Sequence, residues 1–199
     1  MKTFLRNISK NLWAYILWIL FAVLLWLWLF GFLTRIKPEE RINVFIGSYS
    51  HSFDKYDELN NNRPDYIKKV FVSAYSVTSM NFNVYLSVFG YNEGDIIILP
   101  ESRVTDKSCT AHFSEISPFY QTELNNLGLY AVENKAYGIK IHDKLTGESL
   151  VSCLDYGETD EDFYLFFNRK SQHIANLSDG VKNGVGNGAI ETAQGLLTL

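Results

Sequence analysis

Hydroxyl, phenol and carboxylate groups follow three apolar runs of the chain, and such groups can hydrogen-bond to and stack against a small polar solute. They are Ser48, Tyr49, Ser73, Tyr75, Ser76, Glu101 and Ser102. If the three runs are parallel strands, these groups lie together beyond the carboxyl ends of the strands, where open α/β sheets bind ligands. We therefore expect a ligand-binding site there. The alternative is that these residues are ordinary loop and cap residues.

Signals for metal binding and catalysis are weak. The four histidines, His51, His112, His142 and His173, show neither the His-x₃-His nor the Glu-x-x-His spacing of a local zinc site. The acidic stretch 155–162 lacks the ligand register of a calcium loop. A hydrolase would need Ser48 or Cys109 beside a histidine that a third group orients. We predict no catalytic residue, no metal and no cofactor, and the protein is not expected to be an enzyme.

Strand and helix patterns alternate in the first half of the chain. Runs at 42–46, 68–76 and 96–99 are typical of strands, and the last is uniformly apolar, as in a strand covered on both faces. A short helix within 52–61 and a longer helical pattern around 80–90 separate them. This order predicts parallel βαβ units with right-handed crossovers. The second half predicts a hairpin about 133–135, a strand at 163–167 and a terminal amphipathic helix.

An uncharged run of 22 residues, 12–33, contains all four tryptophans. At ~1.5 Å per residue it would reach ~33 Å as a helix, enough to cross a hydrocarbon core of ~30 Å. A cleaved signal peptide would have a shorter apolar region and small residues at a cleavage site, whereas Thr34 and Arg35 follow this run. We predict an uncleaved membrane anchor.

Charge suggests which side of the membrane the domain occupies. Three basic residues precede the span without an acid, and all 22 acids follow it with fifteen basic residues, so the remainder carries a net charge of −7. Lys and Arg counts near the span are close to balanced, which gives a weak preference. With the folded mass after the span, we predict a cytoplasmic N-terminus and an extracytoplasmic domain. An acidic domain without a Lys/Arg cluster is not expected to bind nucleic acid.

The predicted organisation has four parts: a cytoplasmic tail (1–11), a transmembrane anchor helix (12–33), a stem (34–41) and an extracytoplasmic α/β domain (42–199). Cys109 and Cys153 both lie in the last part. They can form a disulfide if their β-carbons come within bonding distance, or remain separate buried thiols. Both possibilities stay open.

The segments "INVFIGSYS", "KKVFVSAYS", "GDIIILPES", "AYGIKIHD" and "FYLFFNRKS", in this order, resemble extracytoplasmic solute-binding proteins of the type 2 periplasmic-binding fold. The resemblance covers roughly residues 42–198. It implies an α/β domain in which a single three-layer lobe has a mixed sheet. Such proteins close two lobes on a ligand and are about twice this length, so the resemblance implies that the second lobe is reduced or missing.

The expected function is that of a membrane-anchored extracytoplasmic binding module, on the surface of a bacterium, that captures a small solute or presents it to a transporter or sensor. The alternative is a non-enzymatic accessory or scaffold subunit of a membrane assembly that kept the fold without a ligand. A pocket lined by Ser48, Tyr49, Tyr75 and Glu101 would favour the binding module. An exposed apolar patch elsewhere would favour the scaffold.

Overall fold

The computed structural model describes residues 12–49, 55–124, 127–152, 154, 156–157, 161–175, 177 and 186–198. The chain divides into an N-terminal unit, Met1–Lys37, and a second unit, Pro38–Leu199. The start of the predicted helix within 52–61, His51, Cys153, and residues 155 and 158–160 of the acidic stretch lie outside the described residues.

Helix α1, Leu12–Thr34, accounts for the described part of the N-terminal unit. Its 23 residues correspond to about 34 Å of helix. None of its side chains is buried, and its most apolar window has a mean hydropathy of 2.6. Within the described residues, α1 is the one helix whose length and composition suit a membrane span. The predicted helix is confirmed and ends one residue later than expected.

The second unit is an α/β domain built on one mixed sheet. Its strands are β1 (Arg41–Ser48), β2 (Lys69–Ser76), β3 (Ile96–Pro100), β4 (Leu129–Val132), β5 (Lys135–His142) and β6 (Phe163–Phe167). The strand order is β2-β1-β3-β6-β5-β4. β1 pairs in parallel with β2 and β3, whereas β6 is antiparallel to β3 and β5, and β4 to β5. The prediction of an α/β domain with a mixed sheet is confirmed.

Helices cover both faces of the sheet. They are α2 (Tyr56–Asn61), α3 (Phe82–Tyr85), a π turn (Leu86–Gly90), α4 (Asp106–His112), α5 (Pro118–Glu123) and α6 (Gly188–Leu196). Two short 3₁₀ turns, Pro38–Glu40 and Glu101–Arg103, precede β1 and follow β3. The first of them occupies part of the predicted stem.

Alternation along the central strands divides the core into two layers. Ile42, Val44 and Ile46 of β1 pack on one face with residues of α2 and α6. Phe45 packs on the other face with residues of α3, the π turn and α4. All five residues of β3 and all five of β6 are buried, as expected for strands covered on both sides. The predicted uniformly apolar strand at 96–99 and the predicted strand at 163–167 are therefore confirmed, and both lie at the centre of the sheet.

The predicted hairpin joins β4 and β5. Glu133 and Asn134 have φ angles of 51° and 64°, so both central residues of the two-residue turn are left-handed. This is the backbone of a type I′ turn, whose twist matches that of antiparallel strands. Asparagine adopts this conformation more readily than most residues.

Gly138 of β5 allows a close approach to Phe166 of β6, its partner across the sheet. A β-carbon there would lie 2.5 Å from the Phe166 ring, closer than atoms can approach. Gly138→Ala should therefore lower the free energy of unfolding by about 1–3 kcal/mol. Scanning calorimetry of the full chain in detergent measures this change as a lower melting temperature.

Gly195 provides the matched control, because a β-carbon at this position in α6 meets no atom within 4 Å. Gly195→Ala should be neutral or stabilise by up to about 1 kcal/mol, the difference in helix propensity. Equal melting temperatures for the two variants would contradict the steric account of Gly138.

Candidate functional site

The carboxyl edge of the parallel strands is where the sequence predicts a ligand site. Because β1, β2 and β3 are parallel, Ser48, Ser76 and Pro100 end at the same edge, and Ser48 is in register with Ser76. Tyr49, Glu101 and Ser102 follow these ends directly. The structure therefore brings five of the seven predicted site residues to one edge: Ser48, Tyr49, Ser76, Glu101 and Ser102. Ser48 and Ser76 are buried there.

Tyr49 and Ser102 both bind one carboxylate that the sequence did not single out. The Tyr49 hydroxyl donates to Oε1 of Glu161 at 2.5 Å, and the backbone N–H of Ser102 donates to Oε2 at 3.2 Å. Burial alone favours the protonated form of Glu161, but these hydrogen bonds outweigh it and hold its pKa below the ordinary value. The phenol and amide at this edge thus stabilise a carboxylate of the same chain.

The other charged groups of the carboxyl edge are also paired. Lys144 Nζ lies 3.1 Å from Glu101 Oε2. Lys140 Nζ lies 2.7 Å from Asp162 Oδ2 and 3.6 Å from Asp143. Burial alone would raise the pKa of Asp162. The hydrogen bond from Lys140, together with weaker interactions, outweighs burial and lowers this pKa below its ordinary value. Most of the charge at this edge is therefore satisfied within the domain.

Two predicted site residues lie away from this edge. The Tyr75 ring stacks at 5.4 Å from Phe45, 4.6 Å from Tyr85 and 5.8 Å from Phe89. It therefore belongs to an aromatic stack on one face of the sheet. Ser73 lies two residues earlier on β2, opposite Phe45 of β1.

A cavity of about 420 Å³ opens at the opposite edge of the sheet. It is lined by Pro38, Arg41, Asn43, Asn92, Glu93, Asp95, Lys170, Gln172 and His173, and we call it the amino-edge cavity. Arg41 begins β1, Asp95 directly precedes β3, and the residues after 167 follow the antiparallel strand β6. Three strands thus deliver polar residues to one place.

Asp95 forms the centre of this cavity and is 8% exposed. Its Oδ2 accepts the backbone N–H of Asn43 at 2.8 Å, and its Oδ1 accepts the Ser171 hydroxyl at 2.6 Å. Its own N–H donates to the Asn43 carbonyl, and its carbonyl accepts the N–H of Asn168. Burial raises the pKa of Asp95 above 3.8, and the two hydrogen bonds and the charges of His173 and Arg41 oppose this rise.

Asn168 shapes the wall of the amino-edge cavity that carries Asn92 and Glu93. Its buried Nδ2 donates to the carbonyls of Gly90, Tyr91 and Gly94 at 3.2, 3.1 and 2.7 Å. A β-carbon on Gly94 would lie 2.8 Å from the Gly90 carbonyl oxygen, so the turn closes tightly only with glycine there. The buried amide and the glycine together fix the turn 90–94.

Charges of both signs face the amino-edge cavity without being paired to each other. Among the described carboxylates, none forms an ion pair with Arg41 or Lys170. Lys170 Nζ donates instead to the Asn92 side-chain oxygen at 3.1 Å. These cations, with the Asp95 and Glu93 carboxylates and the amides of the rim, can bind the polar groups of a small solute.

Ser171 and His173 do not form a serine–histidine pair. The Ser171 hydroxyl donates to Asp95, and His173 Nε2 lies 3.2 Å from the Pro38 carbonyl oxygen. The serine of a Ser-His-Asp triad is instead hydrogen-bonded to a histidine.

Cys109 and His112, three residues apart on α4, do not combine into a catalytic pair. Burial, and then the charge of Asp106, raises the pKa of the Cys109 thiol to about 12. The His112 ring stacks on Tyr91 at 4.0 Å. A thiol held protonated is a poor nucleophile. Because Cys153 lies outside the described residues, the disulfide stays a prediction.

Within the described part of the chain, no group of three or more His, Cys, Asp or Glu side chains is placed to hold a metal ion. Comparison of the sequence with known protein families and with curated proteins gave no match.

Sequence reasoning missed the amino-edge cavity because its residues are far apart in the chain. Two of the segments that form the cavity carry a local signal. Asp95 stands directly before the uniformly apolar strand β3, and Ser171 and His173 follow strand β6. Only the antiparallel placement of β6 beside β3 brings these two ends to the same edge.

Replacing Asp95 by asparagine tests the electrostatics of the cavity. Because the folded protein binds a proton at Asp95 more readily than the unfolded chain, ionised Asp95 costs stability at neutral pH. This cost disappears as the pH falls through the raised pKa towards 3.8. The melting temperature of the wild type minus that of Asp95→Asn should therefore increase as the pH is lowered from 7 to about 4.

Ser171→Ala is the control, because it keeps the carboxylate and removes a hydrogen bond that opposes the pKa rise. This variant should show at least the pH dependence of the wild type. A wild-type minus Asp95→Asn difference that stays constant between pH 7 and about 4 would contradict a raised pKa.

Proposed function

We propose that this protein is a membrane-anchored, non-enzymatic binding module that holds a small polar solute in the amino-edge cavity. The cavity itself carries the proposal. Its volume of about 420 Å³ is that of a small-molecule site, and its lining is polar. Two of the lining side chains, Asp95 and His173, are more than nine-tenths buried. Polar side chains held this deeply at an open cavity are pre-positioned for a ligand.

Helix α1 supports the membrane location. It consists of apolar and uncharged residues without a buried face, and only residues 35–37 separate it from the second unit. A solute-binding domain on so short a connection acts within a few nanometres of the bilayer. We place the N-terminus in the cytoplasm and the domain outside from the charge distribution of the sequence. A bacterial membrane is what the resemblance to extracytoplasmic solute-binding proteins implies.

The order of elements supports a relation to solute-binding proteins of the type 2 periplasmic fold. An early strand belongs to the sheet, a buried strand ends in "LP" and is followed directly by Glu101 and Ser102, and β6 precedes the terminal helix α6, in the order that the resemblance implies. The domain corresponds to one lobe of such a protein. Because two lobes normally enclose the ligand, a single lobe should bind its solute weakly and release it readily to a transporter or sensor.

The second candidate is an accessory or scaffold subunit that kept the fold without a ligand. One observation favours it. At the carboxyl edge, Tyr49 binds Glu161 and Lys144 binds Glu101, so the groups expected to bind a solute bind each other.

Calorimetry of the full chain in detergent, with sugars, amino acids, peptides, nucleosides and divalent ions, tests the proposal. A ligand at 100 times its dissociation constant stabilises the folded state by about 2.7 kcal/mol and raises the melting temperature by several degrees. We expect Arg41→Gln to abolish this shift, because it removes one of the two cations of the cavity that form no ion pair with a described carboxylate. Tyr49→Phe, at the opposite edge, should leave the shift unchanged.

The converse pattern, loss in Tyr49→Phe and retention in Arg41→Gln, would move the site to the carboxyl edge. A domain that melts cooperatively but shifts with no ligand of the panel would favour the scaffold.

A further inference from the structure

Strand β2 ends the sheet on one side, and none of the described residues forms a strand ladder with its outer side. Its eight residues pair with β1 in one continuous register, without a bulge, and contain no proline. Edge strands of this kind expose backbone N–H and C=O groups that can pair with another strand.

Asn60 caps the amino end of this edge and shows which residues of β2 point outward. Its Oδ1 accepts the N–H of Val70 at 3.0 Å, and its Nδ2 donates to the Val70 carbonyl at 3.1 Å. Alternate residues of a strand direct their backbone groups to the same side, so Val72 and Ala74 also point outward. No described residue pairs with their outward N–H and C=O groups.

An exposed aromatic surface lies beside this edge. Phe71 and Tyr75 of β2 share a face of the sheet, and Phe89 of the π turn stacks on Tyr75. Phe71, Phe89 and the neighbouring Val88 are 36%, 38% and 42% exposed. Together with Tyr75, these side chains form one apolar patch beside the strand edge.

We propose that β2 pairs with β2 of a second copy of this chain, antiparallel and about a two-fold axis at Ser73, to form one continuous sheet. Val72 of each copy then lies opposite Ala74 of the other, and their outward groups form four hydrogen bonds. Phe71 lies opposite Tyr75 of the second copy, and cross-strand aromatic pairs stabilise antiparallel strands.

The Asn60 cap limits the pairing to the middle of β2. In the proposed register Val70 lies opposite Ser76 of the second copy, and Asn60 already binds the outward groups of Val70, so the ladder ends before this pair. An axis at Val72 would place Val70 opposite Ala74 and leave one open residue without a partner. An axis at Ala74 would place Phe71 opposite Val77 and lose the aromatic pairs. The axis at Ser73 uses both open residues and both aromatic rings.

Charge makes a second copy a suitable occupant. Lys69 is the sole charged residue of β2, and its ammonium group lies over the Phe71 ring at 4.8 Å. In the proposed register the two Lys69 residues are eight positions apart along the strands, about 26 Å, well beyond the screening length of about 8–10 Å. Pairing therefore brings no like charges together.

The area available suits a weak pair. A buried aromatic side chain covers about 150–250 Å², so the exposed parts of Phe71 and Phe89 contribute about 60–90 Å² each. Adding Val88 and the strand edge gives an interface below about 1,200 Å², typical of transient complexes. Anchoring in one membrane, which rests on the function proposed above, raises the effective concentration enough to favour such a pair.

Cysteine cross-linking of the full chain in liposomes tests the pairing. Ser73 would form a non-hydrogen-bonded pair with its own copy at a Cα distance of about 4.5 Å, within the range for a disulfide. In a Cys153→Ser background, mild oxidation of Ser73→Cys should give covalent dimer several-fold above that of Val72→Cys or Ala74→Cys. Cys109 stays unreactive because burial holds its pKa at about 12.

Leu145→Cys, at an exposed turn, gives the rate of random collision between anchored chains. A Ser73→Cys dimer no more abundant than this control would overturn the proposal, and so would a maximum at position 72 or 74. The amount of Leu145→Cys dimer formed in liposomes also shows whether α1 anchors the chain. Failure of anchorage and failure of pairing therefore give different results.

Val72→Pro supplies a second test in the Ser73→Cys background. It removes one outward N–H and leaves the inward ladder to β1 intact, a position where edge strands accept proline. The dimer should fall to the control level while the melting temperature shows a folded domain. If this variant does not fold, Phe71→Lys, at an exposed position, should lower the cross-linked fraction several-fold. Cross-linking that persists in a folded variant would contradict strand pairing.

Discussion

The buried carboxylate of Asp95 is the interaction on which the amino edge of the sheet depends. It accepts one hydrogen bond from Asn43 of β1 and one from Ser171 beyond β6, while its own backbone pairs with both neighbouring segments. An ionised group at this depth is costly unless its hydrogen bonds are satisfied, and here one strand and one loop supply them. Removing any of these donors would leave a buried charge underbonded. The carboxylate thus holds the ends of β1, β3 and β6 in one arrangement, and the cavity is the space that this arrangement encloses.

The two edges of the sheet differ in how their charges are satisfied. At the carboxyl edge, Lys140 binds Asp162, Lys144 binds Glu101, and Tyr49 binds Glu161. At the amino edge, Arg41 faces the cavity without a carboxylate partner among the described residues. A ligand that approached the carboxyl edge would have to break internal pairs and would gain little net energy. In the amino-edge site proposed above, a ligand could bind Arg41 without breaking an ion pair of the described residues.

The parts of the structure that sequence predicted are those specified locally. The uniformly apolar strands β3 and β6, the hairpin at Glu133 and the helix α1 each follow from length, burial pattern or turn residues within one segment. Tyr75 was assigned to the site because it ends an apolar run. The period of two in a strand puts its ring on a face, where Phe45 and Tyr85 stack on it. The cavity could not be predicted, since Arg41, Asp95 and His173 meet only after β6 has been placed antiparallel to β3. The pairing of strands distant in sequence is decided by the whole core and by no local pattern.

The segment from the π turn to Gly94 connects the cavity with the open edge of the sheet. Phe89 stacks on Tyr75 of β2, and the following turn carries Asn92 and Glu93 into the cavity wall. The side-chain amide of Asn168 donates to the carbonyls of Gly90, Tyr91 and Gly94, and the backbone N–H of the same residue donates to the Asp95 carbonyl, so Asn168 links the turn to Asp95. π turns accommodate an extra residue at a cost in helix geometry and are frequent at functional sites. One short segment therefore contributes to both surfaces.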